Sequence, residues 1–179
     1  VRVGLFADLA RFDPTVANLR TDADFAVDST LPVRGIATSG WRGRSFSLGI
    51  ADSVTVLAAT ASAADAAATV IANAVDADDP RIRRSPANRL RDDSDLGARL
   101  VTCDVPLLSW PVVARALAAG AAVAEAEIEA GRALGAALCL QGRVRTCALA
   151  AAFDTLAHGP QAARIGAALG NAVPRSIRM

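Results

Sequence analysis

Asp65, Thr69 and Asn73 stand at i, i+4 and i+8 in the alanine-rich run ASAADAAATVIANAV. At helical pitch they form one polar line: a carboxylate, a hydroxyl and an amide, each a turn apart. A carboxylate and a hydroxyl so spaced can offer two hard oxygen ligands to a magnesium-like ion, which keeps waters and takes further oxygens from a phosphate. A plainer reading has Ser62 capping the helix, with Asp65 completing a capping box and matching the positive helix N-terminus.

A second cluster precedes this helix. Thr38, Ser39, Gly40, Arg42, Arg44 and Ser45 lie within residues 35–47, a turn offering hydroxyls, backbone N–H groups and fixed positive charge. Such a concavity suits a phosphate. The glycine-lysine signature of a Walker loop is absent, and a simple hairpin connection would use much the same residues. Further on, Gln141, Arg143 and Arg145 occupy alternate positions of one run, where they could line a cleft or form a solvated sheet face. His158 is the single histidine, so neither a histidine metal cluster nor a Ser-His-Asp arrangement can be assembled, and no catalytic residue is assigned.

The elements that must position these residues can be read from the pattern. Strands are expected at 1–7, 25–28, 33–38, 44–48, 52–58, 99–105 and 135–145, the last interrupted by Gly142 and the clearest being 52–58 with its β-branched Val54, Thr55 and Val56. Helices are expected from Ser62 to about Val75, and from Trp110-Pro111 to about Gly131, since proline suits a first turn. Residues 8–20 read as a loop and 76–95 as a solvated excursion with a short helix inside. Residues 148–157 and 161–169 read as short alanine-rich helices. Short strand-to-strand connections before the first long helix argue for an α+β fold with an antiparallel or mixed sheet and packed helices. The chain divides into a domain of residues 1–147 and an alanine-rich helical tail of residues 148–179.

The 179 residues are 53% hydrophobic and 21% charged, enough for one core. Much of the apolar content is alanine, and every basic residue is arginine. A net charge of +1 gives no field that argues for nucleic acid or a membrane surface. Cys103, Cys139 and Cys147 are scattered, without a CxxC pair, and read as small buried hydrophobes in a reducing compartment. The apolar run of residues 112–140 is broken by Arg115, Glu125, Glu127, Glu129 and Arg132, so it is not a membrane span. A cytoplasmic location is the expectation; the sequence leaves a homo-oligomer open.

Three successive motifs, GIATSG (35–40), SVTV (53–56) and ADAAAT (64–69), resemble those of the ApbE superfamily of FAD:protein FMN transferases, and more closely a shorter, uncharacterised branch of it. That branch joins the first two motifs through a segment like RSFSLGIAD and has a strand like LQGRVRT near its end. The resemblance implies an α+β fold and a flavin-nucleotide site with magnesium and FAD. Asp65 and Thr69 would be the metal ligands, and Thr38, Ser39, Gly40, Arg42 and Ser45 part of the cofactor-binding wall. It makes Thr69 the more telling residue, because capping does not require it. The transferases carry a histidine-containing segment where this chain has the shorter residues 44–52, and a glycine-rich upstream half for which residue 1 onward has no counterpart. The chain thus reads as the C-terminal part of that fold. The functions implied are FMN transfer from FAD or FAD hydrolysis, with a non-catalytic module for a flavin or related phosphorylated heterocycle, or an inactive fragment, as alternatives.

Overall fold

A computed structural model describes residues 2–5, 23–27, 29 and 31–148. The loop expected at 8–20, the tail helices and His158 lie outside the described residues. Strands β1 (Arg2–Leu5) and β2 (Ala23–Ala26) pair antiparallel, Val3 opposite Phe25. The strand expected at 1–7 therefore finds its partner in the next one along the chain.

The centre is a four-stranded antiparallel sheet in the order β3 (Gly35–Ser39), β4 (Ser53–Ala58), β7 (Gly135–Leu140), β8 (Arg143–Cys147). In register, Thr38 lies opposite Thr55, and Ser53 opposite Cys139. The two inner strands are buried along their whole length, which is why SVTVLA and GAALCL read as near-continuous apolar runs instead of alternating ones. The α+β class expected from the pattern is the one observed.

Two helices cover one face, α1 (Ala61–Ala74) against β3 and β4, and α3 (Trp110–Glu129) against β7 and β8. Ala64, Ala67, Ala68, Ile71 and Ala72 form the buried stripe of α1; Val113, Ala116, Leu117, Ala121 and Ala124 form that of α3. They meet Val54, Val56, Leu138 and Leu140 in one core, where each large aliphatic side chain contributes roughly 1.5–3 kcal/mol by burial. The alanines add little area but let the helices sit low on the sheet. At Gly120, a side chain would run into Val75 and Leu138. The helix pair owes its close approach to that glycine.

Several local expectations are corrected. The cap of α1 is Thr60, not Ser62: the Thr60 hydroxyl accepts from the Ala63 N–H at 3.2 Å. Asp65 therefore lies beyond the first turn and makes no capping box. The strand expected at 44–48 is not formed. Its backbone is held by side chains and a more distant strand: Leu48 N–H donates to Asn73 Oδ1 at 2.9 Å, and Thr102 N–H to the Ser47 carbonyl at 2.9 Å. The run 135–145 is a hairpin, not one strand. Gln141 (φ 48°) and Gly142 (φ 73°) both take the left-handed conformation, as a two-residue turn matched to strand twist requires. The excursion at 76–95 contains strand β5 (Arg83–Pro86), paired with β6 (Leu100–Asp104), and the single-turn helix α2 (Ala87–Leu90).

Candidate functional site

Where β3 ends, the chain must leave the sheet edge and return to start β4. Gly40 permits this, because its Cα passes so close to the Asp52 carbonyl that a Cβ would collide with it. The returning loop is stitched down by Trp41 N–H to the Ala51 carbonyl (3.0 Å) and Ile50 N–H to the Val75 carbonyl (2.8 Å). Between this loop, the start of β4 and the outer side of α1 opens a cleft of about 360 Å³. It is lined by Thr38, Ser39, Gly40, Arg42, Gly43, Arg44, Ser45, Asp52, Ser53, Asp65 and Thr69.

All seven residues singled out as cofactor or metal contacts in the sequence thus share one cleft. Asp65 and Thr69 are exposed on α1. The Thr69 hydroxyl donates to the Asp65 carbonyl at 3.0 Å, a back-bond to the preceding turn that leaves the oxygen lone pairs as acceptors or ligands. Thr38 Oγ1 lies 2.8 Å from Thr55 Oγ1, a cross-strand pair that fixes the hydroxyl at the cleft edge. Asn73 does not join the line. Its Oδ1 accepts from Leu48 N–H and, at 3.3 Å, from the Ser47 hydroxyl, so its work is to hold the loop.

Gln141, Arg143 and Arg145 do not line the cleft. Gln141 sits in the hairpin turn, donating from Nε2 to the Pro106 carbonyl (2.6 Å) and accepting from Leu108 N–H (3.0 Å). The Arg143 guanidinium stacks over Trp110, 5.0 Å from the ring centroid.

Two residues that the sequence reading passed over form the cleft floor. The Asp52 carboxylate is only 6% exposed and accepts three hydrogen bonds, from Trp41 Nε1 (3.1 Å), Arg42 Nε (3.2 Å) and Gln141 N–H (2.5 Å). Burial pushes its pKa above the ordinary carboxylate value, opposed by the Gln141 N–H and then by the Arg42 charge. Arg42 also lies against the Trp41 ring at 4.7 Å, so its position over the cleft is set from two sides. Beside Asp52, Ser53 is 5% exposed, and among the described residues its hydroxyl is the buried side-chain polar atom left without a hydrogen-bond partner. An unpaired buried hydroxyl costs on the order of 1–3 kcal/mol. The available signal was Asp52 itself: an acid at the mouth of a strand destined for burial must find donors.

Among the described residues no group of three or more His, Cys, Asp or Glu side chains is placed to hold a metal ion. The donor set at Asp65 and Thr69 fits a hard cation that completes its shell with water and ligand oxygens. Among the same residues no helix is long and apolar enough to cross a membrane.

The family model described as "AbpE bacteria" matches residues 1–146. A UPF0280 protein of Methanopyrus kandleri (strain AV19) is 48% identical over 62 residues, covering 34% of this chain and 26% of that protein. The chain therefore aligns with about a quarter of the length of this curated relative. No solved structure matches it. With four-fifths of its length matched by that model, the chain belongs to the AbpE bacterial family.

Proposed function

We propose that this protein is an ApbE-like flavin-nucleotide protein whose cleft takes the phosphoanhydride of FAD together with magnesium. The observation that carries the reading is the gathering of Thr38, Ser39, Gly40, Arg42, Ser45, Asp65 and Thr69 around one opening. Asp65 and Thr69 would hold the ion, which when bound supplies electrostatic stabilisation of charge on phosphate oxygens. Arg42, fixed by Asp52, and Arg44 present positive charge on the opposite wall. Gly40 keeps the loop backbone close to the strand, so that Ser39 and Ser45 border the same space. These residues bind and orient a phosphoanhydride. In the enzymatic form of the reading, the phosphoanhydride bond of FAD breaks, FMN passes to a hydroxyl acceptor or to water, which gives up its proton, and AMP leaves.

A second reading, a non-catalytic flavin-binding module, is favoured by the state of Asp52. The cleft has two carboxylates, and three of the four acceptor sites of Asp52 are taken by Trp41, Arg42 and Gln141, bonds that hold the loop and the β7–β8 turn together. Incubation with FAD and magnesium separates the two. Release of FMN or AMP by the wild type but not by Asp65→Ala supports the enzyme. Flavin retained without turnover assigns the module, and neither binding nor turnover removes both.

A further inference from the structure

Each of the other buried hydroxyls in the described fold has a partner: Thr55 pairs with Thr38, Ser47 donates to Asn73 Oδ1, and Thr102 donates to the Leu48 carbonyl at 3.3 Å. Ser53 differs. It opens the central strand, lies across from Cys139 in the ladder, and lines the cleft between Asp52 and the Thr38 edge. Its neighbour Thr55, two positions on and on the same side of β4, has its hydrogen bond within the sheet. The sheet therefore had a ready means of satisfying a hydroxyl at this depth, and does not use it at Ser53.

We propose that Ser53 is a ligand-binding residue of the cleft, its hydroxyl turning about χ1 from its buried position to donate to an anionic oxygen of a bound phosphoanhydride. The ligand class follows from the surroundings. Arg44 borders the same cleft, and the Arg42 guanidinium beside it is matched by the neighbouring carboxylate of Asp52, whose other two donors are neutral N–H groups. An incoming anion thus has the Arg44 guanidinium beside it, and the Ser53 O–H beneath it has no competing partner in the protein. A hydroxyl kept for a ligand has a distinctive signature. Removing it should leave the free protein as stable as before, or more so, since the orphaned group disappears, while affinity falls.

This inference rests on the phosphoanhydride reading of the cleft but not on the flavin. The test uses the full chain, titrated with inorganic pyrophosphate and separately with FAD, both with magnesium, for the wild type, Ser53→Ala, the near-isosteric Ser53→Cys and Asp65→Ala. Urea denaturation of each ligand-free variant runs in parallel. The expected result is unchanged or higher stability of Ser53→Ala, with pyrophosphate affinity lowered about tenfold or more in both Ser53 variants. Undiminished pyrophosphate affinity in a folded Ser53 variant overturns the proposal, as does a wild type that does not bind pyrophosphate. Should Ser53→Ala prove unfolded, Ser53→Cys decides by the same comparison. Wild-type binding of pyrophosphate but not FAD, with loss in the Ser53 variants, removes the flavin and keeps Ser53. Loss of FAD affinity in Asp65→Ala but in neither Ser53 variant does the reverse.

Discussion

The carboxylate of Asp52 accepts a hydrogen bond from the backbone N–H of Gln141 at 2.5 Å, across 89 positions of sequence. Gln141 in turn braces the chain at Pro106 and Leu108. One buried acid therefore ties the arginine-bearing cleft loop to the β7–β8 turn and to the approach to α3. Replacing it with alanine leaves the Trp41 and Gln141 N–H groups and the Arg42 guanidinium without this acceptor. Asp52→Ala is expected to lose about 2–3 kcal/mol of stability, with Asp52→Asn losing less because one acceptor oxygen remains. Urea unfolding of the three proteins checks the order.

The pH dependence of that site has a definite sign. Burial raises the Asp52 pKa above its unfolded value, so its stabilising contribution is fully present below the ordinary carboxylate value and is lost as pH rises through the raised folded pKa. The stability advantage of wild type over Asp52→Asn should shrink as pH rises through that window. Glu127 behaves oppositely. Arg132, bonded to it at 2.7 and 2.8 Å, holds its carboxyl below the ordinary value, so that contribution is present above the unfolded value and fades as pH falls through the depressed one. Denaturant midpoints of Asp52→Asn and Glu127→Gln across acidic pH distinguish the two slopes.

The close approach of α1 to α3 and the sheet depends on Gly120, whose missing side chain is the space taken by Val75 and Leu138. Gly120→Ala should gain helix propensity but overpack the core, with a net loss of about 1–3 kcal/mol. A thermal melt that rises instead would show that the core yields there.

Gly142 occupies the second turn position at φ 73°. Gly142→Ala should cost on the order of 1–2 kcal/mol from the left-handed conformation alone, and should disturb Asp52 through the adjoining Gln141 N–H. Equal stability of this variant and the wild type would argue against the two-residue turn.

Much of this arrangement is legible in the residues. The β-branched run ahead of Ser62 announces β4, the spacing of Ala67, Val70, Ile71 and Ala74 announces α1, and Trp110-Pro111 marks the start of α3. Proximity of the Thr38–Ser45 turn to Asp65 and Thr69 follows once β3, β4 and α1 are recognised as one unit. What the pattern hides are interactions whose partner is far away in sequence. Residues 44–48 alternate like a strand, yet Asn73 and Thr102 take their backbone bonds. Gln141-Gly142 reads as an interrupted strand until both residues adopt positive φ. Ser62 looks like a cap because it lies nearer the apolar stripe, but Thr60 sits where the chain leaves the sheet. Asp52 and Ser53 escape notice because their importance is set by burial, which β4 acquires only when helices and neighbouring strands close over it.

Whether Asp65 and Thr69 hold magnesium for a flavin dinucleotide in this cleft, as proposed, is read directly by a titration of FAD with and without the ion. Binding by the wild type is expected to require magnesium, to be retained by Thr69→Ser and to be reduced at least about tenfold by Asp65→Ala and Thr69→Val, through loss of a ligand oxygen. FAD binding that is indifferent to magnesium, or equal in Asp65→Ala and the wild type, would contradict the proposal.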